Sequence, residues 1–374
     1  MNPIYLDYNA STPIAPEVAE AMRPFLATGY GNPSSPHWAG APAKAAVEEA
    51  RQDVAALLGC AGGEVVFTSG GSEANNMALK GVFYANGGDG AHIVTSAIEH
   101  PAILAPCRFL ERLGARVTYV PVDGTGMVDP DDVAGAITER TVLVSIMHAN
   151  NEVGTIQPIA EIARIARERG VLLHTDAAQS AGKIATDVDD LGVDLLTVAG
   201  HKLYAPKGVG ALYIRAGTKL EPLIHGAGHE GGRRAGTESA LLAAGLGAAC
   251  RIAKPLILND QIRELRDFFW QRLTDNFGDD VILNGHETLR LPNTLNVSFP
   301  GRIGADILAN LDGIAASTGS ACHEGTIELS PVLAAMGVTP EVGGGAIRFS
   351  LGRDTTAEEV KLVVERLATT LSKG

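Results

Sequence analysis

Cysteine is scarce in this chain, with four residues in 374, at positions 60, 107, 250 and 322. No two of them stand as CxxC, so neither a zinc ribbon nor a disulfide framework is expected, and a reducing cytoplasm fits best. Long apolar runs are missing too. No window approaches the roughly 18 residues of a membrane span. The opening stretch, MNPIYLDYNASTP, lacks the charged and apolar segments of a signal peptide, so no membrane or export role is expected. Positive charge is short: 30 Lys and Arg stand against 43 Asp and Glu, a net charge of −13. That is not the electrostatic footprint of a nucleic-acid binder, and no direct contact with nucleic acid is expected.

What is present is the composition of a large folded protein. Hydrophobic residues make up 45% and charged residues 20%, and 44 glycines signal many tight turns and close backbone approaches. From about residue 64, short β-rich runs alternate with helical stretches. Strands are expected at 64–69, 91–96, 116–122, 141–147, 171–176, 194–200 and 210–215. Helices are expected at 72–85 (capped by Ser72), 102–114 and 159–170. Most of the strands are continuous apolar runs, the pattern of a sheet buried on both faces, so the fold class is α/β with a mostly parallel sheet. After about residue 240 the texture changes. Long helical stretches, strands at 291–299 and 347–352 and a final helix over 357–371 read as a second, smaller α+β domain.

Ligands of open α/β sheets sit beyond the carboxyl ends of the strands. After EVVFT comes SGGSEANN, a Gly-rich turn into a helix start. It is either a phosphate cradle, with Ser72 adding a hydroxyl, or an ordinary capped terminus. After VLLH comes TDAAQS, with Asp176 and Gln179, where a structural turn aspartate is the plain alternative. After DLLTV comes AGHKLYAPKG. There Lys202, behind His201, is either a surface lysine or an amine suited to a Schiff base. Taken together, a cradle, an Asp and a Lys are the set that pyridoxal phosphate needs. HGAGH (225–229) spaces two histidines for a metal, but its glycines argue against a helix, and no metal site is expected. Cys322 lies in STGSACHEG, too small and polar for core, so reactivity explains it better than packing. His323 beside it either activates the thiol or is merely exposed. The other three cysteines lie in apolar or helical surroundings and read as inert.

Across nearly the whole chain, YLDYNASTP, GNPSSPH, FTSGGSEANN, EHPA, MHANNEVGTIQPI, HTDAAQS, AGHKLYAPKGVGALY, RRAGTES, STGSAC and IRFSLGR resemble the cysteine desulfurases. These are pyridoxal-phosphate enzymes of the class V aminotransferase-like group, and the match is to the type serving iron–sulfur cluster and nitrogenase assembly. The resemblance implies fold type I, with a large cofactor-binding domain over 15–255 and a small domain from 1–14 and 256–374. It implies that Lys202 carries the cofactor, Asp176 faces the pyridine nitrogen, Gln179 the phenolic oxygen, and His100 stacks on the ring and assists proton transfer. Gly71, Ser72 and His201 would bind the phosphate, joined by Thr237 from the second subunit of a homodimer. Asn151, also beside the cofactor, and Arg348 would hold the substrate carboxylate. Cys322, on a mobile loop, would take sulfur from L-cysteine, leave L-alanine and pass the sulfur to an acceptor protein. Iron–sulfur assembly, tRNA thiolation and DNA sulfuration all remain open as destinations. Two positions depart from the family: Ser72 stands where Thr is usual, and Ala199 where a hydroxyl usually meets the phosphate. A selenocysteine lyase, epimerase or aminotransferase would share everything but the need for Cys322. A non-catalytic α/β protein would need none of it.

Overall fold

The structure is a computed structural model describing residues 3–257, 259–318, 321–323 and 326–372, with 321–323 and 326–328 described by their backbone alone. In chain order the strands are β1 (Ile4–Tyr5), β2 (Val65–Thr68), β3 (His92–Ser96), β4 (Arg116–Val120), β5 (Thr141–Ser145), β6 (Leu172–Asp176), β7 (Leu195–Ala199), β8 (Gly210–Ile214), β9 (Ile282–Asn284), β10 (Thr294–Ser298), β11 (Ile314–Ala315), β12 (Ala321–His323), β13 (Thr326–Glu328) and β14 (Ala346–Ser350).

Seven of these form one sheet in the order β2-β8-β7-β6-β5-β3-β4. The neighbours from β7 to β4 are parallel, whereas β8 runs against both β2 and β7. Side chains alternate across a strand, and both faces here are apolar. Val65, Phe67, Leu196 and Val198 join a core with helices Gly40–Leu58, Ile159–Glu168 and Ala240–Leu256. Val66, Leu195 and Leu212 join another core under helices Gly71–Ala85 and Pro101–Glu111. Helices on both faces explain why the strands read as unbroken apolar runs.

A third core gathers Ile4 and Leu6 with Phe269, Val297, Phe349, Val363 and other residues from the C-terminal third. Its sheet, β14-β10-β9, is antiparallel, and β1 pairs with β11. The segment around Cys322 is not the open loop its composition suggests. Cys322 lies in β12, paired antiparallel with β13 so that Cys322 stands opposite Ile327. Among the described residues, no single helix is long and apolar enough to cross a membrane.

Candidate active site

Strands β2, β3, β5, β6 and β7 run the same way, so the turns after them crowd onto one edge of the sheet. They line a cleft of about 650 Å3 that contains Gly71, Ser72, His100, Asn151, Asp176, Gln179, His201, Lys202 and Arg348. Of the sequence candidates, Thr237 is elsewhere. It lines a smaller cavity that shares Ser69 and Gly208 with the cleft wall. The side chains of Cys322 and His323 lie outside the described part.

The cradle is built by glycine. Gly70 holds φ at +145°, a value that side-chain-bearing residues rarely adopt, and the helix begins at Gly71. This corrects the expectation that Ser72 caps the helix. Ser72 lies inside the first turn and no side chain caps the start. A Cβ on Gly71 would stand 3.2 Å from the Ala199 Cβ, a tight contact, so glycine lets the helix end settle closely against the end of β7. The result is an uncapped helix N-terminus with free N–H groups facing the cleft, a site for an anion. Beside it, His201 is held neutral, its pKa lowered to about 4 by burial and by Lys202, Lys207 and His100.

Asp176 ends β6 and is buried. Its Oδ2 accepts from Asn75 Nδ2 at 2.6 Å, and its Oδ1 from the Ala178 N–H at 2.9 Å. His100 caps helix Pro101–Glu111, its Nδ1 accepting from the Ala102 N–H at 3.0 Å. With Nδ1 so engaged, the ring proton of the neutral form sits on Nε2. Removal from water lowers the His100 pKa and Lys202 lowers it further, against an opposing pull from Asp176.

Lys202 follows β7 in a 3-10 turn, Gly200–Lys202. Its Nζ donates to the carbonyls of Asn9 at 2.6 Å and Ala10 at 2.9 Å. Burial, with Arg348 adding to it, brings its pKa to about 8 against the attraction of Asp7 and Asp176. About a tenth of the side chain is therefore free amine at pH 7, far more than for an ordinary lysine. Arg348, from β14, donates Nη2 to Asp7 Oδ1 at 2.7 Å and Nη1 to the Asn151 carbonyl at 3.0 Å. Its Nε is buried without a partner among the described residues. A buried, unpaired guanidinium N–H is costly, and a ligand carboxylate would relieve it. The Ser317 N–H and C=O both bond to the Arg348 backbone, at 3.2 and 2.7 Å. Cys322 is five residues further on, a reach of at most roughly 17 Å for extended chain. Burial drives the thiols of Cys60 and Cys107 up to about 12, and that of Cys250 higher still.

Four residues that sequence reasoning did not single out complete the site. Asn75 and Asp7 orient Asp176 and Arg348. Asn9 links Lys202 to Gln179, whose Nε2 also donates to the Asn9 carbonyl at 2.9 Å. Lys183 donates to Gln179 Oε1 at 3.1 Å and to Asn9 Oδ1 at 3.4 Å. The signal for Asn75 was its place one helical turn after Ser72. For Asp7 and Asn9 it was the motif YLDYNASTP, whose polar residues have no use in a short apolar strand.

The aminotransferase class-V family model matches residues 4–363. The chain is 49% identical over 377 residues to "Cysteine desulfurase IscS" of Dictyoglomus turgidum, covering 99% of this chain and 95% of the relative. Among solved structures, a "NifS-like protein" superposes with a TM-score of 0.93 at 38% identity, covering all of both chains. Another, "SspA in complex with cysteine", gives 0.84 at 37% identity, over 93% of this chain and 98% of its own.

Proposed function

The chain belongs to the aminotransferase class-V family and, within it, to the cysteine desulfurases, and from that membership we propose how its residues divide the work of turning L-cysteine into L-alanine while sulfur passes to an enzyme cysteine. The observation that carries this division is the meeting of Lys202, Asp176, the uncapped helix start and Arg348 in one cleft.

The residues fit pyridoxal 5'-phosphate. Gly71, Ser72 and neutral His201 offer donors for its phosphate, Asp176 a carboxylate for the ring nitrogen, Gln179 an amide for the phenolic oxygen, and Lys202 an amine for the aldehyde. Bound there, the cofactor supplies the electron sink for charge that develops at the substrate α-carbon. Asn75 fixes the Asp176 carboxylate in place. His100, neutral and protonated on Nε2, covers the ring position and is the nearby group for proton exchange. Arg348 and Asn151, which both line the cleft, receive the substrate carboxylate. Lys202 Nζ takes the α-proton, for which an amine with a pKa of about 8 is matched. The Cys322 thiolate bonds to the substrate sulfur as the carbon–sulfur bond breaks. The bonding pair stays on the β-carbon, which takes up a proton, Lys202 returns a proton to the α-carbon, alanine leaves, and Cys322 holds a persulfide. The bonding of Ser317, five residues before Cys322, to the Arg348 backbone supports this reach.

The large domain is assigned to 15–255 and the small one to 1–14 with 256–374, which the separate core of Ile4, Leu6 and the C-terminal third supports. A homodimer in the cytoplasm, handing sulfur from Cys322 to an acceptor protein, completes the reading.

The test is a pair of variants. Lys202→Ala is expected to lose the cofactor's visible absorption. Cys322→Ser keeps it, together with its response to L-cysteine, and forms no protein persulfide, since a hydroxyl is a far poorer acceptor of sulfur than a thiolate. Borohydride labelling of a lysine other than Lys202, or full alanine production by Cys322→Ser, would overturn the assignment.

A further inference from the structure

Lys183 has no place in the chemistry above, yet it is a half-buried amine beside the catalytic one. It stands behind the cleft rather than in it. It lines an adjoining cavity of about 440 Å3, apolar on the side of Val18, Ile252 and Leu351, which Lys202 borders from the other side. Burial, with Lys202 and Arg348, lowers its pKa to about 7. Ammonium and free amine both carry N–H groups, so Lys183 donates in either state.

Its acceptors are what matter. A side-chain amide has two orientations of nearly the same shape, and only its partners choose between them. Gln179 Oε1 takes the Lys183 N–H at 3.1 Å, and Gln179 Nε2 gives one proton to the Asn9 carbonyl at 2.9 Å. The second Nε2 proton remains for the cleft. The same lysine reaches Asn9 Oδ1 at 3.4 Å, and the Asn9 carbonyl is also the seat of Lys202 Nζ. Lys183 thus holds from behind the two polar residues that flank Lys202.

We infer that Lys183 is a positioning residue: by holding Gln179 Oε1, while the Asn9 carbonyl holds one Nε2 proton, it makes the cleft present an amide N–H, not an amide oxygen, to the cofactor's phenolic oxygen beside Lys202. This rests on the pyridoxal-phosphate reading of the cleft. Lys183→Met removes the donor and keeps the length. It is expected to shift the visible absorption of the bound cofactor and speed cofactor release about tenfold, with kcat for cysteine falling by a similar factor and KM changing little. Gln179→Ala is expected to do the same, and Lys183→Met added to Gln179→Ala to do nothing more, because the lysine acts through the amide. Lys183→Arg keeps a donor and has the adjoining cavity to expand into, so it restores most of the parent spectrum. Lys183→Leu makes the same comparison if the methionine variant does not fold. A parent protein with no lysine-bound cofactor would refute the underlying reading. A parent that binds the cofactor, with a Lys183→Met variant identical to it in spectrum and release, or with effects of the two substitutions that multiply, would refute this inference alone.

Discussion

Glu99 lies immediately before His100 and shows how a single buried carboxyl is kept neutral. Its Oε1 accepts from Ser96 Oγ at 2.7 Å and from the Met147 N–H at 2.9 Å, while Oε2 has no partner among the described residues. Burial raises its pKa to about 8, more than those two hydrogen bonds lower it, and Asp176 nearby adds to the rise. In the unfolded chain the group ionises near 4.5. Below that pH it is neutral in both states and its stabilising share is intact. Between 4.5 and about 8 only the unfolded chain releases the proton, so stability falls as pH rises, and above 8 the loss is complete. Glu99→Gln cannot ionise. Any fixed cost of its second amide hydrogen is independent of pH. The melting temperature of Glu99→Gln relative to the parent is therefore expected to climb from pH 5 to 8.5 and then level off. A flat difference across that range would mean Glu99 is ionised in the folded protein.

The central strands carry the opposite case. His174, in β6, is fully buried between Ser145 Oγ of β5 at 2.8 Å and Thr197 Oγ1 of β7 at 3.1 Å. Burial lowers its pKa to about 3. Below about 6.5 the unfolded chain takes up a proton that the folded sheet refuses, so this site loses stability as pH falls. His174→Gln, which still bonds across the strands, is expected to lose about 2 kcal/mol less between pH 7 and 5 than the parent, read from urea midpoints. An equal loss in both proteins would place the acid sensitivity elsewhere. Elements like β6 were legible because their burial is written as an unbroken apolar run. All the strands expected between residues 64 and 215 are present to within two residues at each end. The reversed direction of β8 was not legible, since GALYI is equally apolar read either way. Helix Gly40–Leu58 was missed because its contacts are small. It packs on helix Ala240–Leu256 so closely that a Cβ on Gly247 would stand 2.6 Å from the Ala50 Cα, a contact made by alanine and glycine with little hydrophobic signal. In the site, the strand-end residues were legible from their positions. Asp7 and Asn9 showed only as polar residues in YLDYNASTP, because their partners Arg348 and Lys202 are far away in sequence, and Lys183 gave no signal although Gln179 is only four residues before it.

At the scale of the whole molecule the open question is which chain completes the phosphate site. Thr237 of the same chain sits just past the cleft wall, sharing Ser69 and Gly208 with it, so both its own cleft and that of a second copy are candidates for its hydroxyl. A mixed dimer separates the two arrangements. One protomer carries Lys202→Ala and the other Thr237→Val, so only the second can hold cofactor covalently. If the hydroxyl reaches across, that site meets the native Thr237 of the partner subunit and releases cofactor at the parent rate. The Thr237→Val homodimer, lacking a hydrogen bond to a charged phosphate, releases it roughly tenfold faster. If the hydroxyl serves its own chain, the mixed dimer is as leaky as that homodimer. Parent-like retention in the mixed dimer is the expected result, because Thr237 lines a separate cavity and is not among the residues lining its own chain's cleft.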